Sequence, residues 1–149
     1  MIIKTEEWER FMLDPLQQRI NQHQRLNELR LKLLRLHKLL LEMERRSYEQ
    51  AQGKVSKGQL LQLVIGHEQF AWLHQISELI VQIDELFDAD EPVAPEAIDA
   101  FLADVCTLLT PDAQGNAFAI KYDAAFQHSP DVVLAHADIV SLLAPDSKP

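Results

Sequence analysis

Between Leu26 and Met43 the apolar residues Leu26, Leu29, Leu33, Leu36, Leu40 and Met43 recur at alternating spacings of three and four. That is the a/d rhythm of a helix with a continuous apolar seam. Towards the N-terminus the rhythm decays, because Arg19 and Gln22 fall on the same register. No Gly or Pro follows Pro15 before Gly53, so the pattern predicts one long helix over about 15–51. Leu34 and Leu41 lie beside the seam, and Leu31 and Leu39 lie on the far side of the wheel. A helix apolar on several sides is expected to be buried on several sides. Trp8, Phe11 and Met12 predict a separate short helix over about 4–13, ended by Asp14-Pro15, with Asp14 as cap and Pro15 at the first position of the long helix.

The rest of the chain is punctuated more often. Ser56-Lys57-Gly58-Gln59 has the form of a capping box and starts a helix near residue 57, which Gly66 breaks. Phe70, Leu73, Ile76, Leu79, Ile80, Ile83 and Phe87 form one stripe of a helix over 67–88. A two-proline connection leads to a helix over 95–109 that buries Ile98, Phe101, Leu102, Val105, Leu108 and Leu109. Thr110-Pro111-Asp112 and Ser129-Pro130-Asp131 read as helix starts, the first running to about 128 and the second to Leu143. The predicted fold is all-α, a bundle of six or seven helices with one long Leu-rich helix packed against shorter amphipathic ones. Residues 1–143 form a single domain and 144–149 a tail.

Charge sharpens this division. Residues 1–58 hold 12 Lys/Arg against 8 Asp/Glu, and residues 59–149 hold 2 against 15. The two parts can attract one another within a chain, between copies, or through separate partners, and the sequence leaves the three open. Acidity overall and glutamates among the helix's basic residues argue against nucleic acid as a partner. Apolar runs are too short for a membrane span. One cysteine, Cys106, rules out an intramolecular disulfide and reads as a packed core residue. With no basic, apolar leader at the start, a cytoplasmic protein is expected.

Candidate chemistry is sparse. His74 and Glu78 share a helix face at i,i+4, the best metal-like pair, but no Glu-x-x-His or His-Glu-x-x-His occurs. The acidic run from Asp84 to Glu91 fails as an EF-hand loop, because Val93 stands where the turn needs glycine. No phosphate loop or nucleophile elbow is present. The reading assigns no catalytic residue and no cofactor. It favours a non-enzymatic protein acting through protein–protein contact, with a second copy or another protein as partner. The candidate interface is Leu26, Leu29, Leu33, Leu36 and Leu40, with the chain's own core as the competing use of that seam. Trp8 and Trp72 are expected in the core or at its edge, and either becomes an interface anchor if exposed. The alternative is a small-molecule- or metal-binding bundle, enzymes included, built on His74, Glu78 and a histidine from another helix.

The stretch Phe70-Ala71-Trp72-Leu73-His74, Ile76-Ser77-Glu78-Leu79-Ile80, Ile83-Asp84-Glu85 and Asp88-Ala89-Asp90-Glu91-Pro92 resembles uncharacterised bacterial all-helical proteins without an assigned activity. The resemblance covers residues 70–92 and implies a bacterial cytoplasmic setting. It carries no catalytic or binding residue across.

Overall fold

A computed structural model describes residues 5–144. The start of the predicted first helix at Lys4 and the tail beyond Ala144 lie outside the described residues. Six α-helices and one 3-10 helix account for the fold, and no strand occurs among the described residues. They are α1 (Thr5–Gln52), α2 (Lys57–Gly66), the 3-10 helix Glu68–Leu73, α3 (His74–Phe87), α4 (Pro95–Leu108), α5 (Ala117–His128) and α6 (Pro130–Leu143). The protein is an all-α bundle whose long first helix packs against shorter ones.

At 48 residues, α1 is about 72 Å long by the helical rise. It is the spine of the core and packs chiefly on α6, α3 and the 3-10 helix. Leu29, Leu33, Leu36 and Leu40 are 0% exposed and Leu26 nearly so. Around them close Phe70, Leu73, Ile76 and Ile83 from the middle of the chain, and Tyr122, Val132 and Ile139 from its end. The competition over the seam is thereby decided. The five proposed interface leucines are covered within one chain, and none is open to a second copy.

Part of the charge division is matched within the chain. Arg30 Nε lies 2.7 Å from Asp84 on α3, and Arg35 lies 3.8 Å from Asp138 on α6. Arg25 donates to the carbonyls of Leu142 (3.1 and 3.2 Å) and Leu143 (3.4 Å). A cation there meets the partial negative charge at the C-terminus of α6. The ordering of these contacts makes α3 and α6 both antiparallel to α1. Glu44 fixes the far end: its carboxylate accepts from Trp72 Nε1 (3.1 Å) and Gln69 Nε2 (2.8 Å).

Local signals account for most boundaries. Ser56 and Gln59 form the capping box of α2, and Ser129 caps α6 with Pro130 at its first position. Gly53, with φ of 90°, supplies the left-handed turn that stops α1. Three expectations need correction. First, α1 runs through Pro15 without a break. Proline removes one helical hydrogen bond and crowds the carbonyl four residues earlier; here that carbonyl belongs to exposed Phe11, where water can serve it. Second, the helix predicted over 67–88 begins as a 3-10 helix. His67 Nδ1 accepts from Gln69 N–H (3.1 Å), and Phe70 and Leu73 are buried three residues apart, the spacing that a 3-10 turn superimposes. Third, Thr110-Pro111-Asp112 does not start a helix. Asp112 accepts from Gln114 N–H and Gly115 N–H in a turn, and Asn116 caps α5 through Ala119 N–H (2.8 Å).

Candidate interaction surface

The first turns of α1 have a helix's local support but no bundle around them. Glu6 and Glu7 stand in the first turn, where negative charge favours the helix dipole. Gln17 bonds to Asn21 one turn later (3.0 Å). Every residue from Thr5 to Asn21 is exposed. The bundle takes hold only near His23, whose ring stacks on Phe87 at 4.4 Å, and at Leu26. The segment before that is an arm of about 25 Å by the helical rise.

The arm is not a polar helix. Trp8, Phe11, Met12, Leu13, Leu16 and Ile20 are all exposed, Phe11 to 76%. They fall on two sides. Trp8, Phe11 and Met12 lie on or next to the line of the core seam, and the Trp8 and Phe11 rings meet edge-on with centroids 6.5 Å apart. Leu13, Leu16 and Ile20 lie about 150° around the helix from that seam. Further along the same line, inside the bundle region, come Leu31 and Leu34, also exposed. A helix that leaves this much apolar surface in water is what interaction surfaces look like. Trp8 is therefore the exposed tryptophan of the two, and Trp72 is buried on the core.

His74, His37 and His136 are held by hydrogen bonds and packing. His74 Nε2 donates to the Val64 carbonyl (2.6 Å) and so ties α3 to α2. Glu78 on the next turn is exposed. No group of three His, Cys, Asp or Glu residues placed to hold a metal ion occurs among the described residues. His37 lies in the same neighbourhood, 3.2 Å from Ser77 Oγ. Burial, and then the nearby His74, hold its pKa below the usual 6.5. His136 shares a 2.8 Å hydrogen bond with the buried Tyr122 hydroxyl and packs against Phe126. Burial lowers the His136 pKa and pushes that of Tyr122 up. These are histidines integrated into packing.

Cys106 corrects another expectation. It is exposed on α4, one position past the buried Val105, because the buried face of α4 takes Ile98, Phe101, Leu102 and Val105. Between α1 and α5 runs an open groove of about 630 Å³ lined by Met43, Arg46, Trp72, Lys121 and His128 among others. The one carboxylate on it, Glu44, already serves Trp72 and Gln69. No helix among the described residues is long and apolar enough to cross a membrane. Sequence reasoning identified Trp8, Phe11 and Met12 as a helical apolar set but not their exposure. The signal available was the decay of the seam at Arg19 and Gln22, which marks where the bundle's cover ends. Comparisons with protein-family models, with curated proteins and with solved structures find no match for this chain.

Proposed function

We propose that the protein is a non-enzymatic helical bundle that works by protein–protein contact, and that the projecting arm of α1 makes the contact. One observation carries this reading: six large apolar side chains on residues 8–20 stand in water on a helix that nothing else among the described residues covers. Trp and Phe on a rigid helix are good anchors, since they bring large area with few rotamers to freeze. The bundle behind the arm supplies the foothold, because α1 continues unbroken into the core.

A photoreactive phenylalanine analogue placed at Leu16 in cells expressing the full chain tests this. The expected result is a covalent adduct of protein mass at position 16 and none at Gln82, an exposed polar control on α3. Absence of any protein adduct at position 16, with the variant folded, removes the arm as a contact surface.

A further inference from the structure

The exposed face of α1 has a symmetry that selects its partner. Leu13, Leu16 and Ile20 on the arm and Asn27, Leu31 and Leu34 beyond it share one line of the helix, and all six are exposed. When that line is laid against itself running the other way, about the midpoint between His23 and Gln24, it matches. Leu13 meets Leu34 of the other copy, Leu16 meets Leu31, and Ile20 meets Asn27. One turn further out, Glu9 meets Lys38, and Lys38 forms no ion pair within the chain among the described residues. We infer that the arm's partner is a second copy of this chain, paired antiparallel along the 13–34 face of α1 in a twofold dimer. The inference rests on the arm being a contact surface and names what it contacts.

Charge selects the direction. Residues 5–14 carry Glu6, Glu7, Glu9 and Asp14 against Arg10, and on residues 30–38, which hold no acid, Lys32 and Lys38 stand outside the ion pairs that Arg30 and Arg35 make with Asp84 and Asp138. An antiparallel pair sets each acidic arm beside the basic stretch of its partner. A parallel pair sets like beside like twice over, which costs rather than stabilises. Among the described residues the face is also sterically open. α3 flanks α1 on the side of Arg30 and His37, and α6 flanks it on the side of Arg25 and Arg35, so the line through Asn27 and Leu34 points out between them. Beside Leu31 the α1–α6 junction leaves a shallow groove of about 200 Å³ lined by Ala135 and Asp138, which a leucine from a crossing helix can enter.

The test uses the full chain with Cys106→Ser as background and the pair Leu16→Cys/Leu31→Cys. Within one chain these positions lie about 22 Å apart on a rigid helix, far beyond disulfide reach. In the antiparallel dimer they face one another. The expected result is a chain of twice the monomer mass by light scattering, near-complete disulfide-linked dimer from the double variant, and none from Leu16→Cys or Leu31→Cys alone. A companion pair reads the charge match: Glu9→Lys raises the dimer dissociation constant several-fold, and Glu9→Lys/Lys38→Glu restores it. A monomeric mass overturns the inference, and so does ready crosslinking of Leu16→Cys alone, which marks a parallel pair. A monomer that cosediments with lipid vesicles through the arm overturns it in favour of a membrane surface. A monomer whose position-16 photoadduct is a different protein overturns it too, yet leaves the arm's contact role standing. Loss of every protein adduct takes both.

Discussion

The two stretches of α1, residues 5–21 and 26–44, belong to one unbroken helix and carry six and ten large apolar side chains, yet one is bare and the other is the centre of the core. What separates them is cover. From Leu26 onward α3 and α6 run antiparallel on either flank and seal the seam. Before Arg19 nothing among the described residues crosses it. The contrast teaches that an amphipathic period establishes a helix and the direction of its apolar face, while burial depends on whether the rest of the chain reaches that far. Apolar residues in the arm therefore contribute little to folding and remain free for use in contact.

The strongest way to break this contrast is to put the same charge into both stretches. Leu33→Asp places a carboxylate at a position with no exposure. The cost exceeds about 4 kcal/mol, and the chain is expected to lose cooperative folding. Leu16→Asp in the arm should shift the unfolding free energy of the monomer by no more than about 0.5 kcal/mol. Circular dichroism during urea denaturation, at concentrations too low for association, reads both, and a large loss from Leu16→Asp would show that the arm is part of the core.

Acid and alkali sharpen the contrast from the core side alone. His37 and His136 have pKa values lowered by burial. The unfolded chain therefore binds protons that the folded chain resists, and stability held above pH 6.5 is lost as pH falls below it. Tyr122 has the opposite sign. Its raised pKa gives stability that is present below pH 10.0 and lost as pH rises past that value. Thermal midpoints measured across pH should fall at both ends. His136→Phe should flatten the acid limb, whereas removal of residues 1–14 should leave both limbs unchanged.

Pro15→Ala is the smallest perturbation expected by global measures. It restores a helical hydrogen bond and relieves a local penalty of about 3 kcal/mol. Because nothing among the described residues covers the arm, it is expected to open independently of the bundle, and that gain should appear as slower amide exchange near residues 15–19, with the global midpoint unchanged. A rise in the global midpoint would tie the arm to the cooperative unit.

Much of this architecture was legible from particular residues. The seam from Leu26 to Met43, the box at Ser56 and Gln59, and Ser129-Pro130 are local rules, and local rules acted where they stood. Pro15 was misread because its penalty is local, and a long helix with hydrated carbonyls can absorb it. Thr110-Pro111-Asp112 was misread because a stronger cap, Asn116, stands a few residues later and Asp112 is drawn into a turn. The 3-10 start at Glu68 follows from His67 and from where Phe70 and Leu73 must sit, which is tertiary information. Cys106 falls one step off the buried face of α4, a difference smaller than the pattern resolves. The candidate surface was half legible: the arm's residues were apparent, but the seam of Leu26 to Leu40 drew attention because it was the better helix. Quality of an apolar pattern measures how well it packs, and the best-packing face is the one the chain keeps for itself.

The tie from Arg25 to the carbonyls of Leu142 and Leu143 joins positions more than a hundred residues apart. During synthesis the leucine face of α1 therefore leaves the ribosome well before α6 and waits for more than a hundred further residues before α6 arrives to close it. Native contacts at such separation are slow to form, and the interval is one in which a bare leucine ladder meets other nascent chains. The most deeply buried face of the finished molecule is thus its most vulnerable part while it is being made.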